Sequence, residues 1–327
     1  YIGVTGVQTC ALPILFGETE FWFALVKVVA ILGMIILGLL LLVSGGGGPQ
    51  AGISNLWSHG GFFPNGIEGL VMVLAIIMFS FGGLELIGIT AAEAENPRQV
   101  IPRAINQVVY RILIFYVGAL SVLLMLYPWP QLLESINTAG DPYSGSPFVL
   151  VFSLMGREVA ANVLNFVVLT AALSVYNSGV YCNSRMLYGL AEQGDAPRQL
   201  TRLNKRGVPV LAIGVSALMT VLCVLINYLA PQQALELLMS LAVAALLINW
   251  TMISLTHLNF RKVMLAQGVE PVFKAFWYPL GNYLCLLFVA AIACIMLAMP
   301  GIRVSILLMP AWLALIWMCY RIRQNRA

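Results

Sequence analysis

Charged residues are scarce in this sequence: they make up 9% of its 327 residues, whereas hydrophobic residues make up 61%. A soluble domain typically contains about 25% charged and about 45–50% apolar residues. The composition therefore excludes a soluble enzyme. Apolar runs of about 20 residues, which is enough to cross a bilayer, recur along the whole sequence, so we expect an all-α protein that crosses a membrane several times.

Residue types that hold metals or form disulfides are also scarce. The chain has only two histidines, His59 and His257, both near the ends of apolar runs, and its six cysteines show no CxxC or CxxxC spacing. We therefore expect no metal site and no cofactor, and we interpret the cysteines as packing residues. A net charge of +4, from 17 basic and 13 acidic residues, is too small to indicate a nucleic-acid partner.

Eight apolar runs can each supply a membrane-spanning helix of about 17–25 residues. They cover residues 21–43, 69–92, 112–133, 159–184, 207–235, 237–260, 275–301 and 304–320. The connections 44–66 and 127–147 are rich in glycine, proline or aspartate, which predicts interfacial loops.

The basic residues predict how the chain is oriented in the membrane. Alternate connections and the C-terminal tail hold 14 of the 17, whereas the opposite connections hold only Arg157 and Arg303, and Lys27 lies inside an apolar run. By the positive-inside rule, the lysine- and arginine-rich connections and the C-terminus are cytoplasmic. The fourteen are Arg98, Arg103, Arg111, Arg185, Arg198, Arg202, Lys205, Arg206, Arg261, Lys262, Lys274, Arg321, Arg323 and Arg326.

Two ionisable side chains, Lys27 and Glu85, lie well inside apolar runs. A charge at membrane depth costs about 2.5 kcal/mol or more, so a functional role is the first interpretation. At about 1.5 Å per residue, Lys27 lies roughly 10 Å from the cytoplasmic end of its helix, and Glu85 lies roughly 26 Å from the outer start of its own. The alternatives are that Lys27 snorkels to the inner interface and that Glu85 caps a half-helix.

Two adjacent glycines, Gly82 and Gly83, interrupt an otherwise apolar run. A broken helix at membrane depth is tolerated where its freed backbone lines a cavity, and transporters use such backbone to bind a substrate's charged groups. Glycine also allows helices to pack closely, and this alternative stays open. At about the depth of Lys27, another run carries Tyr176, Asn177 and Ser178, whose polar groups either join helices or form part of a site.

Residues 4–14 resemble the translation of a common sequencing adapter, so we expect residues 1–14 to be non-native and the native sequence to begin near Leu15 or Phe16. The other interpretation, a leader, lacks the charged start and long apolar stretch of a signal peptide. Residues 15–327 then form the membrane domain.

Four segments carry a family resemblance: FGETEFWFALVKV from Phe16, FSFGGLELIGITAAEAENPRQVIPRAI from Phe79, LTAALSVYNSGVYCNSRMLYGLAEQGDAP from Leu169 and NKRGVPV from Asn204. They resemble the amino acid permeases of the amino acid–polyamine–organocation superfamily, and they are most similar to its bacterial aromatic amino acid permeases. The similarity covers essentially all of residues 15–327.

The resemblance implies a LeuT-like fold of twelve helices, built from two inverted five-helix repeats, with the first and sixth helices unwound at the substrate. On this pattern the eight runs correspond to the family's helices 5 to 12. We therefore expect four leading helices, including the unwound first helix and half of the substrate cradle, to be missing from this chain.

The resemblance also implies roles for individual residues. Phe79 matches an aromatic gate over the substrate, and Lys27 matches a lysine that replaces a sodium ion between the family's first, fifth and eighth helices. The expected substrate-binding residues are Phe79, Ser80, Phe81, Gly82, Gly83, Tyr176 and Asn177. The expected proton-coupling residues are Lys27, Glu85 and Ser178.

The expected function is import of aromatic amino acids by proton symport across the bacterial cytoplasmic membrane. A permease for another neutral amino acid such as proline is the alternative, and a non-transporting sensor stays open because it would keep the binding site and lose only coupling. A membrane-embedded enzyme is not expected, since it would need a histidine, a carboxylate pair or a metal cluster at membrane depth.

Overall fold

A computed structural model describes residues 11–90, 96–138, 146–205, 207–269, 275 and 277–324. Most of the adapter-like segment lies outside these residues. Regular structure within the described ranges is entirely helical, as expected. The α-helices are α1 (Ala11–Val43), α2 (Gly66–Ser80), α3 (Leu86–Thr90), α4 (Pro97–Arg111), α5 (Ala119–Leu126), α6 (Trp129–Thr138), α7 (Pro147–Leu154), α8 (Glu158–Glu192), α9 (Val210–Leu229), α10 (Pro231–Ala266), α11 (Leu280–Ala298) and α12 (Arg303–Gln324).

Seven continuous spans in the described part of the chain are long and apolar enough to cross a membrane. The prediction of eight differs because run 69–92 is not one helix: α2 has 15 residues and α3 has five, with a turn between them. The seven spans are Glu18–Val43, Gln99–Leu126, Glu158–Glu192, Val210–Leu229, Gln233–Ala266, Leu280–Ala298 and Arg303–Ile322.

The third predicted run, 112–133, has different bounds in the structure. Helix α4 continues through a π-helical segment, Ile112–Gly118, into α5, so this span begins earlier than predicted. It ends at Leu126 because Tyr127 precedes Pro128 and adopts an extended conformation, which a following proline favours.

The connection 127–147 is not simply a loop, as predicted, because it contains α6. Trp129, Leu132, Leu133 and Ile136 recur at helical spacing, and Leu132 is buried in a hydrophobic cluster. An apolar stripe with this period stabilises a helix that lies on a protein surface. The proline, glycine and aspartate content hid this stripe. Residues 139–145 lie outside the described part.

The chain divides into two compact units. The first comprises residues 1–64 and 103–216, and the second comprises residues 65–102 and 217–327. In the first unit, α1 packs against α5 and α8, and α7 packs against α8. Phe152 and Leu126 are among its fully buried side chains. A Cβ atom at Gly38 would overlap Val122, so this glycine allows α1 and α5 to approach closely.

In the second unit, α10 packs against α2, α11 and α12. Leu247, Ile292 and Met296 are buried in its core, and Ala75 and Ala244 keep the helices close. A short hydrogen bond of 2.6 Å joins the buried hydroxyl groups of Ser240 and Ser305, which links α10 to α12. Helix α2, which precedes the interruption, therefore packs against two continuous helices, α10 and α11.

Candidate functional site

The interruption predicted at the two glycines is confirmed in the second unit. Helix α2 ends at Ser80, a turn covers residues 81–85, and α3 begins at Leu86. The N–H groups of Phe81 and Gly82 bond the carbonyls three residues earlier, at 3.2 and 3.1 Å, which tightens the last turn of α2. The α-helical ladder therefore stops inside an apolar segment.

The two glycines have different roles in this turn. Gly83 has φ +98°, a backbone conformation that residues with a side chain rarely adopt. A Cβ atom at Gly82 would lie 2.8 Å from Cδ1 of Leu246 on α10. Gly83 thus permits the turn, whereas Gly82 permits close packing against α10, so each of the two sequence interpretations applies to one glycine.

Glu85 closes the turn with its own side chain. Its Oε2 atom accepts a hydrogen bond of 3.2 Å from the Gly83 N–H group, which is the capping role considered from the sequence. Within the described residues, the N–H groups of Leu84 and Glu85 have no hydrogen-bond partner. These two donors are available to an anionic or carbonyl group of a ligand.

Phe79 and Ser80 lie in the last turn of α2, directly before the interruption, and both side chains are exposed. The Phe79 ring is 43% exposed. An exposed aromatic face can contact an apolar ligand, and backbone donors in the turn that follows can bind a polar group.

The first unit contains a hydrogen-bonded triad formed by Glu20, Lys27 and Ser174. Lys27 Nζ donates to Ser174 Oγ at 2.6 Å and to Glu20 Oε1 at 3.4 Å. Ser174 Oγ in turn donates to Glu20 Oε1 at 2.6 Å. Ser174 is fully buried, while the Lys27 and Glu20 side chains are 25% and 26% exposed. The triad links α1 to α8 and gives the ammonium a carboxylate partner.

Two members of this triad were not predicted. The sequence placed Asn177 and Ser178 at about the depth of Lys27, but the α8 residue that hydrogen-bonds Lys27 is Ser174, one helical turn earlier. Among the described residues, neither Asn177 nor Ser178 hydrogen-bonds Lys27. Periodicity places positions 174, 177 and 178 on one helix face. It cannot determine how far α8 is shifted along its axis relative to α1, and this shift decides which of the three positions lies opposite Lys27.

Glu20 escaped the sequence analysis because it lies at the edge of its apolar run. Its spacing of seven residues from Lys27 was the available signal, since residues seven apart lie on the same face of a helix. Its Oε2 atom is buried and has no hydrogen-bond partner among the described residues. Glu85, the other ionisable side chain that the sequence places well inside an apolar run, belongs to the second unit.

Two further predicted site residues lie close to these arrangements along the sequence. Tyr176 is half exposed on α8, and Phe81 is half-buried in the turn that follows α2. No group of three or more histidine, cysteine, aspartate or glutamate side chains that could hold a metal ion occurs in the ranges that the structure describes.

Comparison with known proteins gives consistent matches over the chain. The family model "Amino acid permease" matches residues 4–327. The chain is 61% identical over 312 residues to the aromatic amino acid transport protein AroP of Escherichia coli strain K12, and 59% identical to AroP of Salmonella typhimurium strain LT2. It is 43% identical over 315 residues to the amino-acid permease AapA of Bacillus subtilis strain 168.

Each of these alignments covers 95% of this chain and 66% of the relative, so the chain spans about two thirds of the length of the relatives it matches. No solved structure matches the chain. The family match extends over nearly all of the sequence and includes both the interrupted helix and the triad. The chain therefore belongs to the amino acid permease family.

Proposed function

We propose that the protein containing this chain imports amino acids, with a preference for phenylalanine, tyrosine and tryptophan, by proton symport. The observation that carries the proposal is the interruption at residues 81–85, which opens backbone polar groups inside an apolar segment of a permease-family chain. Unsatisfied backbone groups are costly at membrane depth, so a turn of this kind is maintained where a ligand or cavity uses it.

The interrupted helix supports recognition of the amino acid backbone. The free N–H groups of Leu84 and Glu85 are suitable donors to a substrate carboxylate, and the carbonyl end of α2 carries partial negative charge that favours an ammonium. Glu85 already binds the Gly83 N–H group, so its carboxylate also fixes the shape of the turn.

Aromatic preference follows from the relatives and from Phe79. The AroP relatives are aromatic amino acid transport proteins by name, whereas the AapA relative is an amino-acid permease without a named substrate class. The exposed Phe79 ring supports stacking against an aromatic substrate, with Ser80, Phe81, Gly82, Gly83, Tyr176 and Asn177 as the further proposed contacts. A permease for another neutral amino acid is the second candidate.

The triad supports a coupling role for Lys27. In the observed state the ammonium and the Glu20 carboxylate compensate each other, and Ser174 bridges them. A proton bound to Glu20 would remove that compensation and weaken the link between α1 and α8, so proton binding would favour another conformation. Glu85 and Ser178 remain proposed coupling residues.

We extend the proposal to the membrane in which the protein lies and to the part of the fold that this chain represents. The positive-inside count supports a cytoplasmic C-terminus in a multi-pass protein of the bacterial cytoplasmic membrane. We also propose that the chain corresponds to helices 5 to 12 of a twelve-helix fold, that four helices precede them in the full protein, and that residues 1–14 are not native.

Uptake of radiolabelled phenylalanine by proteoliposomes tests this function on the full-length protein. Uptake that unlabelled tyrosine and tryptophan suppress more strongly than proline is expected. Stronger suppression by proline would favour the general neutral permease. Phenylalanine binding without any uptake, under either a proton or a sodium gradient, would indicate the sensor.

A further inference from the structure

Asn249 carries a side-chain amide at the middle of the α10 span Gln233–Ala266. Three hydroxyl side chains in the same part of the helix, those of Ser240, Thr251 and Ser254, are all hydrogen-bonded within the second unit. The Asn249 side chain is exposed, and its amide makes no hydrogen bond to any described residue. An unpaired amide is costly at membrane depth, so a polar partner is expected for it.

Asn249 lies beside the interruption that follows α2. The α10 side chain nearest to a Cβ atom placed at Gly82 is Leu246, with its Cδ1 atom 2.8 Å away. Residues three apart are neighbours on one face of a helix, so Asn249 projects next to Leu246, about 4.5 Å further along the α10 axis. The exposed amide is therefore close to the turn at residues 81–85.

The level of Asn249 matches that of the unpaired backbone donors. Both α2 and α10 lead from connections poor in basic residues to connections rich in them, so the two helices run in the same direction across the membrane. The residues that follow Leu246 thus lie at the level of the residues that follow Gly82. These include Leu84 and Glu85, whose N–H groups have no hydrogen-bond partner among the described residues.

We propose that Asn249 donates a hydrogen bond from Nδ2 to the α-carboxylate of the transported amino acid, a role that rests on the import proposed above. The N–H groups of Leu84 and Glu85 donate to the same carboxylate. The Glu85 side chain, which accepts a hydrogen bond from Gly83 through Oε2, balances the charge of the substrate ammonium. Because the amide is neutral, it strengthens binding without adding a charge to an apolar segment.

Competition binding to the full-length protein tests this contact, with radiolabelled phenylalanine as the probe and with unlabelled phenylalanine and phenethylamine as competitors. Phenethylamine keeps the ring and the ammonium but lacks the carboxylate. Asn249→Leu should weaken phenylalanine binding by about 10- to 150-fold, the range for a hydrogen bond to a charged group, and should leave phenethylamine binding unchanged. The preference for phenylalanine over phenethylamine should therefore shrink by the same factor.

A second variant separates contact with the carboxylate from a role in folding. Asn249→Asp keeps the shape of the side chain and adds a negative charge, so it should bind phenylalanine more weakly than Asn249→Leu and phenethylamine at least as well as the wild type. Asn259→Leu is the matched control, since it removes another exposed amide further along α10. Both affinities come from one preparation, so a loss of folded protein does not change their ratio.

Two results would overturn this contact alone. An unchanged preference in Asn249→Leu would mean that the amide does not reach the carboxylate. Equal weakening of both ligands would assign Asn249 to packing between helices. Failure of the wild type to bind phenylalanine would instead contradict the proposed function, and the site with it.

Discussion

Ser174 on α8 accepts a hydrogen bond of 2.6 Å from Lys27 on α1 and donates one of 2.6 Å to Glu20, so one buried hydroxyl connects both charges of the pair. These hydrogen bonds join α1, which carries a lysine inside an apolar run, to α8, which carries several polar residues at a similar depth. The serine is central because it is the only fully buried member of the triad.

Replacing Ser174 with alanine should weaken proton-driven uptake. The change leaves two charged groups without their bridging hydroxyl, which typically costs about 1–3 kcal/mol and corresponds to roughly 5- to 150-fold in rate or affinity. Thr170→Ala is the matched control, since Thr170 lies one turn earlier and bonds its own helix at Val167. Initial rates at several imposed pH gradients give the measurement, and equal losses in both variants would assign Ser174 to packing.

Glu20 and Lys27 should be energetically coupled. Glu20→Gln and Lys27→Met should each lower the thermal unfolding temperature of the full-length protein, because each leaves one charge uncompensated. The double variant should recover part of the loss, with a coupling free energy of about 0.5–3 kcal/mol. Unfolding curves for the four proteins measure this quantity. Strictly additive losses would mean that the 3.4 Å contact carries no stabilisation.

The two glycines of the interruption should respond differently to substitution. Gly83→Val should abolish uptake while membrane insertion persists, because a β-branched residue resists the positive φ of this position. Gly82→Ala should impair uptake less, because the Leu246 Cδ1 atom that its Cβ would meet at 2.8 Å is the end of a flexible side chain and can shift. Gly214→Ala, in open space on α9, is the control. Near wild-type uptake by Gly83→Val would contradict the broken-helix mechanism.

Phe79→Ala should reduce the affinity for aromatic substrates by about 1–3 kcal/mol through lost stacking and burial. The loss for proline should be smaller, so the ranking of competitors should change. Phe166→Ala, which removes an exposed ring on α8, controls for general effects of losing a phenylalanine. Inhibition constants for a panel of amino acids provide the test, and an unchanged ranking would restrict Phe79 to packing.

The sequence predicted the all-helical fold and the interruption because both depend on local signals. Apolar runs of sufficient length predicted seven of the spans, although the run 112–133 has different bounds in the structure, and adjacent glycines in the run 69–92 predicted the break. The surface helix α6 was missed because proline and aspartate nearby outweighed its apolar stripe. Ser174 and Glu20 were missed for a different reason. The position of α1 relative to α8 along the helix axes depends on how the two helices pack, which no single segment encodes.

We propose that amino acid entry carries a proton and does not need sodium. The most direct measurement uses proteoliposomes of the full-length protein in sodium-free medium, with a pH-sensitive dye inside and no imposed gradient. Addition of phenylalanine outside should acidify the interior in the wild type, while Lys27→Ala should abolish this proton entry. Phenylalanine uptake without acidification, or uptake that appears only when sodium is added, would contradict the account.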